Sequence, residues 1–353
     1  MNWAVVTLSA KGLETALKVG EHFDSDIYTL EKYLDGDGVS DRRGGKFQLR
    51  AIPGRFKDFN GYLFENYRTI VYIMATGIVV RDIAPYLRHK SVDPAVLVMD
   101  GKGDFVISLL SGHLGGANEK ALQLAEKIGA QPVITTMSDV VGKTAVDIIA
   151  MKLDCAIGSF ESAKDVTADI INDDIVSITG DYEISGENLP ANIVAGYDER
   201  AVSRIVISNK RDAVLGERDA LLIPRNTVLG VGCRRDTPFE KIEAFIREEM
   251  ERNNLHMKSI KRISSIDLKA NEKSIIEFSC KNNIEFVTYP AEELVKYEDR
   301  FGVSKFVKKI TGVGSVSETS GYAGSNFGKK ITGKTSKDGM TLSIWEEEKC
   351  YTL

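Results

Sequence analysis

Short β-branched segments alternate with amphipathic helical segments from the start of the chain, and this alternation constrains the fold more than any other feature. The first cycle reads WAVVTL, GLETALKVGEHF and DIYTL, and later cycles give TIVYIMA, VRDIAPYLRH, AVLVM, FVISLL and NEKALQLAEKIG. Strands that alternate with helices are typical of a parallel sheet covered by helices on both faces. The sequence therefore predicts an α/β protein.

The alternation changes character twice, and this predicts three domains. The regular pattern runs to residue 137, loosens into short strands with polar turns up to residue 225, and begins afresh near TVLGVG. We predict an N-terminal α/β domain with a mostly parallel sheet and flanking helices (1–137), a small strand-rich middle module (138–225) and a separate C-terminal α/β domain (226–353). A chain of 353 residues also exceeds the usual size of a single core.

Composition and charge argue against several classes of protein. The apolar run IVYIMATGIVV is interrupted well short of the roughly 20 residues that a bilayer requires. The start MNWAVVTLSAKG has no basic region, so we expect a first strand and not a signal peptide, in a cytoplasmic protein. The net charge of -5 disfavours a nucleic-acid partner, but residues 256–353 hold 16 Lys+Arg against 13 Asp+Glu and could face an anionic small molecule.

The four cysteines favour reduced thiols. They lie far apart without CxxC spacing, which argues against a structural zinc site and against a disulfide framework. No two histidines are close enough in sequence to suggest a metal site held by the protein. These cysteines are Cys155, Cys233, Cys280 and Cys350.

The segment SLLSGHLGGAN is the most conspicuous candidate site, because it packs three glycines and a histidine between an apolar strand and a helix. In a parallel sheet such a loop falls at the carboxyl-terminal edge, where open α/β folds place ligands. Glycines let a backbone approach a ligand closely, and free N–H groups at the helix start favour an anion. A tight turn without a ligand is the alternative. The candidate residues are Ser111, Gly112, His113, Gly115, Gly116 and Asn118.

A second junction between a strand and a helix lies in MATGIVVRD. Thr76 and Gly77 occupy the turn, and Arg81 follows one helical turn later. The guanidinium of Arg81 could bind a substrate carboxylate through two parallel hydrogen bonds. An exposed helix arginine paired with Asp82 or another neighbour explains the same pattern.

The C-terminal region repeats this arrangement in LGVGCRRDTP and ISSIDLKANE. The first segment lacks the third glycine of a dinucleotide-binding fingerprint, so adjacent arginines before a helix favour an anion site instead. A buried or incidental thiol is a better interpretation of its cysteine than a nucleophile, because no base can be identified. The candidates are Gly232, Cys233, Arg234, Arg235, Asp267 and Lys269.

The late segment GVGSVSETSGYAGSNFGKKITGKTSKDGMTLSIW is rich in glycine and polar residues. Its glycines are typical of a flexible hairpin, whereas the clustering of lysines around Lys334 is not explained by a hairpin. Glu318 is its one acidic residue before the lysine cluster. We therefore retain Glu318 and Lys334 as candidate site residues.

Several of these segments together resemble the cobalamin biosynthesis protein G family. They are ATGIVVRDIAPYL, DPAVLVMDGKGDFVISLLSGHLGGANEKALQLAEKIGAQPVITTMSD, GVGCRRDTP and SIDLKANE. The resemblance covers nearly the whole chain in the family's order, and it implies a cobalt-precorrin-5A hydrolase of the anaerobic vitamin B12 pathway. In the segment GSVSETSGYAGSN, serine and glycine replace the alanine-rich helix to which the family tends.

The resemblance implies that a δ-lactone of a corrinoid is hydrolysed and that two carbons leave as acetaldehyde, giving cobalt-precorrin-5B. Such a reaction needs a general base and donors for the tetrahedral oxyanion. His113 and Glu318, which matches the family's acidic position, are the candidate bases, and the loop amides are candidate donors. The basic residues would bind the substrate's carboxylates. The cobalt would travel in the substrate, so no cofactor is expected, and neighbouring pathway enzymes are further candidate partners.

Two other functions fit the same residues. A corrinoid carrier would bind and hand on unstable intermediates without chemistry of its own. A phosphate- or nucleotide-binding enzyme would use the geometry in which a glycine loop joins a strand to a helix. Turnover by a His113→Ala variant and a thermal shift with nucleotides would separate these alternatives.

Overall fold

The computed structural model describes residues 3–34, 46–137, 143–182, 184–185 and 189–352. The chain divides into two compact units, residues 1–143 and residues 144–353. The expected boundary between residues 137 and 138 falls at a stretch, 138–142, that lies outside the described residues, and the division into three domains stays a prediction. Within the part of the chain that is described, no helix combines the length and the apolar character needed to cross a bilayer.

The first unit is built on a seven-stranded sheet with the strand order β3-β2-β1-β4-β5-β6-β7. The strands are β1 (Trp3–Thr7), β2 (Ser25–Thr29), β3 (Phe47–Ala51), β4 (Thr69–Ile73), β5 (Ala95–Met99), β6 (Phe105–Leu110) and β7 (Gln131–Val133). The helices described in this unit are α1 (Ala10–His22), α2 (Phe56–Asn66), α3 (Thr76–Ile83) and α4 (Ala117–Ile128), with short 3₁₀ helices at Glu31–Tyr33 and Ala84–Tyr86.

Helices cover both faces of this sheet, which explains why its central strands are continuous apolar runs. Successive side chains of a strand point to opposite faces. Val5 and Leu97 therefore pack on one face with residues of α1 and α4. Val6 and Tyr72 pack on the other face with residues of α2 and α3. The predicted α/β class and the mostly parallel N-terminal sheet are confirmed.

The sixth strand runs in the opposite direction to the first five. β1 to β5 pair in parallel, whereas β6 is antiparallel to β5, with Leu110 opposite Val96. Only residues 100–104 connect β5 to β6, and a parallel neighbour would need a crossover of a dozen or more residues. The expectation that SGHLGGAN lies at the carboxyl-terminal edge of the parallel strands is therefore wrong; the loop lies at their amino-terminal edge.

The second unit begins with a five-stranded sheet of order β11-β9-β12-β13-β8, in which all neighbours are parallel except β13 and β8. The middle region also contains two helices that the sequence interpretation did not resolve. The strands are β8 (Cys155–Ile157), β9 (Val176–Gly180), β11 (Ile193–Ala195), β12 (Ser203–Ile207) and β13 (Asp219–Pro224), and the helices are α5 (Val146–Lys152) and α6 (Phe160–Ile171).

The last sheet has the order β16-β15-β14-β18-β17. β14, β15 and β16 are parallel, and β18 and β17 complete the sheet as an antiparallel pair. The strands are β14 (Thr227–Gly232), β15 (Ile260–Ile266), β16 (Glu285–Tyr289), β17 (Lys329–Lys337) and β18 (Met340–Glu346). The helices are α7 (Phe239–Arg252), α8 (Lys273–Asn282), α9 (Ala291–Leu294), α10 (Lys305–Thr311) and α11 (Val316–Gly324), with 3₁₀ helices at Met257–Ser259, Asp267–Lys269 and Val295–Arg300.

Helix α11 corrects the prediction of a flexible hairpin over the whole late segment. The helix is buried along almost its full length, and the hairpin is confined to β17 and β18. A Cβ atom at Gly230 would lie 1.9 Å from the carbonyl oxygen of Ser317, and one at Gly324 would lie 1.9 Å from Oγ of Ser264. The serines and glycines therefore reflect a very close approach between the helix and the sheet.

Contacts between the middle and C-terminal sheets join them in one unit. The hydroxyl of Tyr182 donates to Oε1 of Glu346 at 2.6 Å, and Nδ2 of Asn226 donates to the same oxygen at 3.0 Å. Asn226 is almost fully buried. Near the chain end, β10 (Ile184–Ser185) pairs in parallel with β19 (Tyr351–Thr352).

Candidate functional sites in the two units

The glycine loop, residues 111–116, is shaped by contacts among its own residues. Ser111 and Gly116 adopt positive φ angles of 58° and 77°. A Cβ atom at Gly115 would lie 2.4 Å from Cβ of Ser111, and one at Gly112 would lie 2.8 Å from Oδ1 of Asn118. Compact folding of the loop therefore accounts for these glycines without a ligand.

The N–H groups at the start of α4 are already used inside the loop. Gly116, Ala117 and Asn118 donate to the carbonyl oxygens of His113, Ser111 and Gly112 at 2.9, 3.1 and 3.0 Å. These three amides are not available to an anion, which corrects the expectation of free donors at this helix start. His113 itself is half-buried in the loop.

Two side chains of α4 tie the loop to its surroundings. The buried Asn118 accepts from Oγ of Ser108 at 2.6 Å and donates to Oγ1 of Thr136 at 3.1 Å. Nζ of Lys120 donates to the carbonyl oxygen of Gly115 at 2.9 Å. Burial lowers the pKa of Lys120. Sequence inspection missed Lys120, although its position four residues after Gly116 was a usable signal.

Thr76, Gly77 and Arg81 lie at the opposite edge of the sheet from His113. They follow β4 at its carboxyl end, whereas the glycine loop lies near the start of β5. A five-residue strand spans about 16 Å, so the structure separates these two groups of predicted residues. Nη1 of Arg81 donates to the carbonyl oxygen of Gly77 at 2.9 Å, within its own helix.

A cavity of about 770 Å³ lies at the carboxyl-terminal edge that carries Thr76. Its walls come from the ends of β1, β4 and β5 and from the start of α3. The sequence interpretation missed Ser9 and Asp100, although Ser9 lies two residues after β1 in TLS and Asp100 directly follows β5 in VMDGKG. Ser9 caps α1 by accepting from the N–H of Gly12 at 3.0 Å.

In the second unit, the structure brings the predicted C-terminal residues together. Segments 232–235 and 267–269 follow the parallel strands β14 and β15 and lie at one edge of the sheet. Glu272, which is 8% exposed, links them: it accepts from the N–H of Asp236 at 3.0 Å and from Nζ of Lys269 at 2.8 Å. The sequence analysis did not identify Glu272, although its spacing of three residues from Lys269 indicates an ion pair between the two side chains.

The environment of Cys233 disfavours a nucleophilic thiolate. Burial raises the pKa of Cys233; Lys269 opposes this shift and Glu272 adds to it. The thiolate is the reactive form of a cysteine. The thiol is half-buried, and its raised pKa favours the interpretation as a buried or incidental thiol over that as a nucleophile. The neighbouring Arg234 and Arg235 are exposed, and the guanidinium of Arg234 lies beside Gly339.

Glu318 lies in the first turn of α11, and this turn reaches the same edge of the sheet. Val316, two residues before it, faces Gly232 at the end of β14. Glu318 is buried and accepts from Oγ of Ser315 at 3.0 Å, and its Oε1 faces Gly333 on β17. Lys334 follows Gly333 and is exposed. The structure therefore gathers Glu318, two arginines and two lysines around the end of this sheet that also carries Asp267 and Glu272.

Comparisons with known proteins cover most of the chain. The family model described as Cobalamin synthesis G N-terminal matches residues 58–139, and that described as Cobalamin synthesis G C-terminus matches residues 227–345. A cobalt-precorrin-5A hydrolase of Priestia megaterium is 32% identical over 97% of this chain and 94% of its own length. A protein with the same description from Salmonella typhimurium is 35% identical over 97% of this chain and 96% of its own length.

A solved structure of a cobalamin biosynthesis protein G homologue from Sulfolobus solfataricus is 21% identical, covers 98% of this chain and 97% of its own, and superposes with a TM-score of 0.39. The fold and the candidate sites described above define an α/β protein of two units, each with candidate ligand-binding groups at the edge of a sheet that contains parallel strands. The chain belongs to the cobalamin synthesis G family.

Proposed function

We propose that this protein is a cobalt-precorrin-5A hydrolase of anaerobic cobalamin biosynthesis. The observation that carries the proposal is the identity of 32% and 35%, over nearly the full length, to two proteins described by that activity. Both candidate regions lie within the family matches. The cobalt is then part of the substrate, and the reaction requires no separate cofactor.

The proposed reaction has two stages. Water adds to the carbonyl carbon of the ring-A δ-lactone, and the bond from that carbon to the ring oxygen breaks, which leaves a carboxylate and a secondary alcohol. Loss of the alcohol proton then breaks the carbon–carbon bond to the macrocycle, and two carbons leave as acetaldehyde. The electron pair stays on the electron-poor macrocycle, which takes up a proton to give cobalt-precorrin-5B.

We assign the general base of the first stage to Glu318. Its carboxylate is held by Ser315 inside a region that also carries Arg234 and Lys334. A positioned base of this kind contributes about 10²–10⁴-fold to a rate. His113 is the second candidate, because imidazole titrates near neutral pH. The N–H groups of Gly116, Ala117 and Asn118 already donate to the glycine loop and cannot donate to an oxyanion beside His113, so we favour Glu318.

Exposed cations at several sheet edges suit a substrate with many carboxylates. Arg234, Arg235 and Lys334 lie in the second unit, and Arg81 lies in the first; all four are exposed. A guanidinium has five N–H donors, so the bond from Arg81 to Gly77 leaves donors for a carboxylate. The chain can therefore bind an anionic ligand although its net charge is -5.

The direct test is to incubate the purified protein anaerobically with cobalt-precorrin-5A and to assay acetaldehyde together with the corrinoid mass. Equal amounts of acetaldehyde and of a corrinoid with the mass of cobalt-precorrin-5B are the expected result. Corrinoid binding without acetaldehyde would instead indicate a carrier.

Two variants test the assignment of the base. We expect Glu318→Gln to lower kcat by about 10²–10⁴-fold with little change in corrinoid binding. His113→Ala should lower kcat far less, and His22→Ala, which changes an exposed histidine at the end of α1, serves as the matched control. A larger loss with His113→Ala than with Glu318→Gln would reverse the assignment.

A further inference from the structure

The cavity of the first unit lies where the order of the parallel strands changes direction. From β1 the chain proceeds to β2 and β3 on one side, and then to β4 and β5 on the other. Open α/β sheets bind ligands outside the carboxyl ends of the strands at such a point. The volume of about 770 Å³ falls in the range of small-molecule sites. Its position and size therefore suit a ligand.

The walls of this cavity are mainly apolar, and two of their large side chains face solvent. Leu8, Met74, Met99 and Ile107 belong to the lining. Ile78 and Phe105 also line the cavity and are 42% and 48% exposed. Covering apolar surface of this kind is favourable by roughly 25 cal/mol per Å². A ligand with an apolar face would gain this contribution.

Charge in and around the cavity would orient such a ligand. Among the described residues that line it, Asp100 is the one with an ionisable side chain. Its carboxylate oxygens accept from the N–H groups of Lys102 and Phe105, both at 2.9 Å. Burial works to raise the pKa of Asp100, but these backbone donors outweigh it and the pKa is lowered. The ionised group would repel a carboxylate inside the cavity.

One exposed cation near the cavity lies on the same helix as part of its wall. α3 supplies Thr76 and Ile78 to the lining, and the guanidinium of Arg81 folds back onto the carbonyl oxygen of Gly77 in the first turn of that helix. Arg81 itself is exposed. A ligand with an apolar body and peripheral carboxylates matches this distribution, because its body can enter the cavity while a carboxylate stays outside on Arg81.

We propose that this cavity binds an apolar face of the corrinoid macrocycle and that Arg81 holds one of its peripheral carboxylates outside. The proposal rests on the proposed function, because that function supplies the class of ligand. It assigns substrate binding to Ile78 and Phe105, which the sequence alone did not single out. It also gives Arg81 a role as a positioning group at the edge of a cavity and not as part of the hydrolytic chemistry.

A matched pair of variants on α3 tests the proposal. Ile78 and Val80 are similarly exposed, at 42% and 46%, but only Ile78 is part of the cavity lining. We would titrate cobalt-precorrin-5A anaerobically into wild type, Ile78→Glu and Val80→Glu, measure its Kd by equilibrium dialysis, and measure KM for acetaldehyde release. Circular dichroism and thermal unfolding would verify the fold of each variant.

Ile78→Glu should raise Kd and KM by roughly tenfold or more, because it removes an apolar contact and adds a second carboxylate near Asp100. Val80→Glu should leave both values within about twofold of wild type. If wild type turns over and the two variants bind equally well, the cavity proposal is wrong while the proposed function stands. If wild type neither binds nor converts the corrinoid, both are wrong.

Discussion

Gly230 has no side chain, and this permits the close packing of α11 against the sheet in the second unit. Its Cα faces the backbone of α11 so closely that a Cβ atom would lie 1.9 Å from the carbonyl oxygen of Ser317 and 2.7 Å from the nitrogen of Gly321. These are backbone atoms of a buried helix, so they cannot move aside independently. The residue is required by its neighbours across the interface and not by its own φ angle.

We therefore expect Gly230→Ala to lower the free energy of unfolding by about 1–3 kcal/mol, because overpacking forces the helix away from the sheet. Urea unfolding monitored by circular dichroism would measure this. Gly302→Ala is the control, since no heavy atom lies within 4 Å of a Cβ built there. Equal stability of the two variants would contradict the close approach of α11.

A pH effect is expected from Cys155. Burial raises its pKa to about 12, whereas an unfolded cysteine has a pKa of about 8.5. Above about pH 8.5 the unfolded chain loses a proton that the folded chain keeps, so stability is complete below that pH and falls as pH rises toward 12. The contribution of this group is at most about 1.4 kcal/mol per pH unit.

Chemical unfolding at about pH 7.5, 8.3 and 9.0 would measure this decrease, below the pKa of about 10 of an unfolded tyrosine. Cys155→Ala should flatten the dependence, and Cys280→Ala should not, because Cys280 is exposed. An unchanged slope in Cys155→Ala would show that other groups cause the alkaline loss.

Among the structural elements, the glycine loop and α4 depend on Asn118. Its side chain joins Ser108 of β6 to Thr136 after β7. Asn118→Ala should lower the free energy of unfolding by about 1–3 kcal/mol, because it leaves buried polar groups without their partners. Thermal and urea unfolding would test this, and Gln123→Ala on the exposed face of α4 is the control. If both variants were equally stable, Asn118 would not be needed to hold the loop.

The elements of the first unit could largely be predicted from the sequence, but their directions could not be read from hydrophobicity. FVISLL forms a strand as predicted, yet an apolar run is the same for either direction. The signal for the reversal was the connection of five residues after AVLVM, which is too short for a parallel crossover. The prediction for the segment that forms α11 was wrong for a different reason. Its small residues are required by close packing against the sheet, and local helix propensity does not describe such packing.

At the scale of the whole molecule, Glu346 couples the two sheets of the second unit. Its Oε1 accepts from Tyr182 of the middle region and from Asn226 just before β14. We expect Glu346→Ala to destabilise both sheets together by about 1–3 kcal/mol. Hydrogen exchange should then show lower protection in β12 and β14, with β4 of the first unit unchanged.

The exposed Glu348, two residues later, provides the control, since Glu348→Ala removes a nearby carboxylate without removing the hydrogen bonds of Glu346. Loss of protection in β14 alone would show that the middle sheet does not depend on Glu346.

The candidate site could be predicted in part at this scale. Segments that follow neighbouring parallel strands meet at one edge, so the grouping of Arg234 with Asp267 and Lys269 follows from the strand pattern. The sequence alone did not show that His113 and Thr76 lie at opposite edges of the sheet, because their placement depends on the direction of β6. The cavity was not recognisable either, because its lining comes from strand ends far apart in sequence, such as Leu8 and Phe105.

The reversed strand also bears on how the first unit folds. Parallel neighbours such as β1 and β4 can pair only after a long segment of chain has closed into a loop, and this makes parallel sheets slow to form. β5 and β6 are separated by five residues, and the side chain of Asp100 already fixes their turn through the N–H groups of Lys102 and Phe105. We expect this hairpin to form on the microsecond timescale typical of hairpins and to serve as the early template onto which β4, and then β1, add.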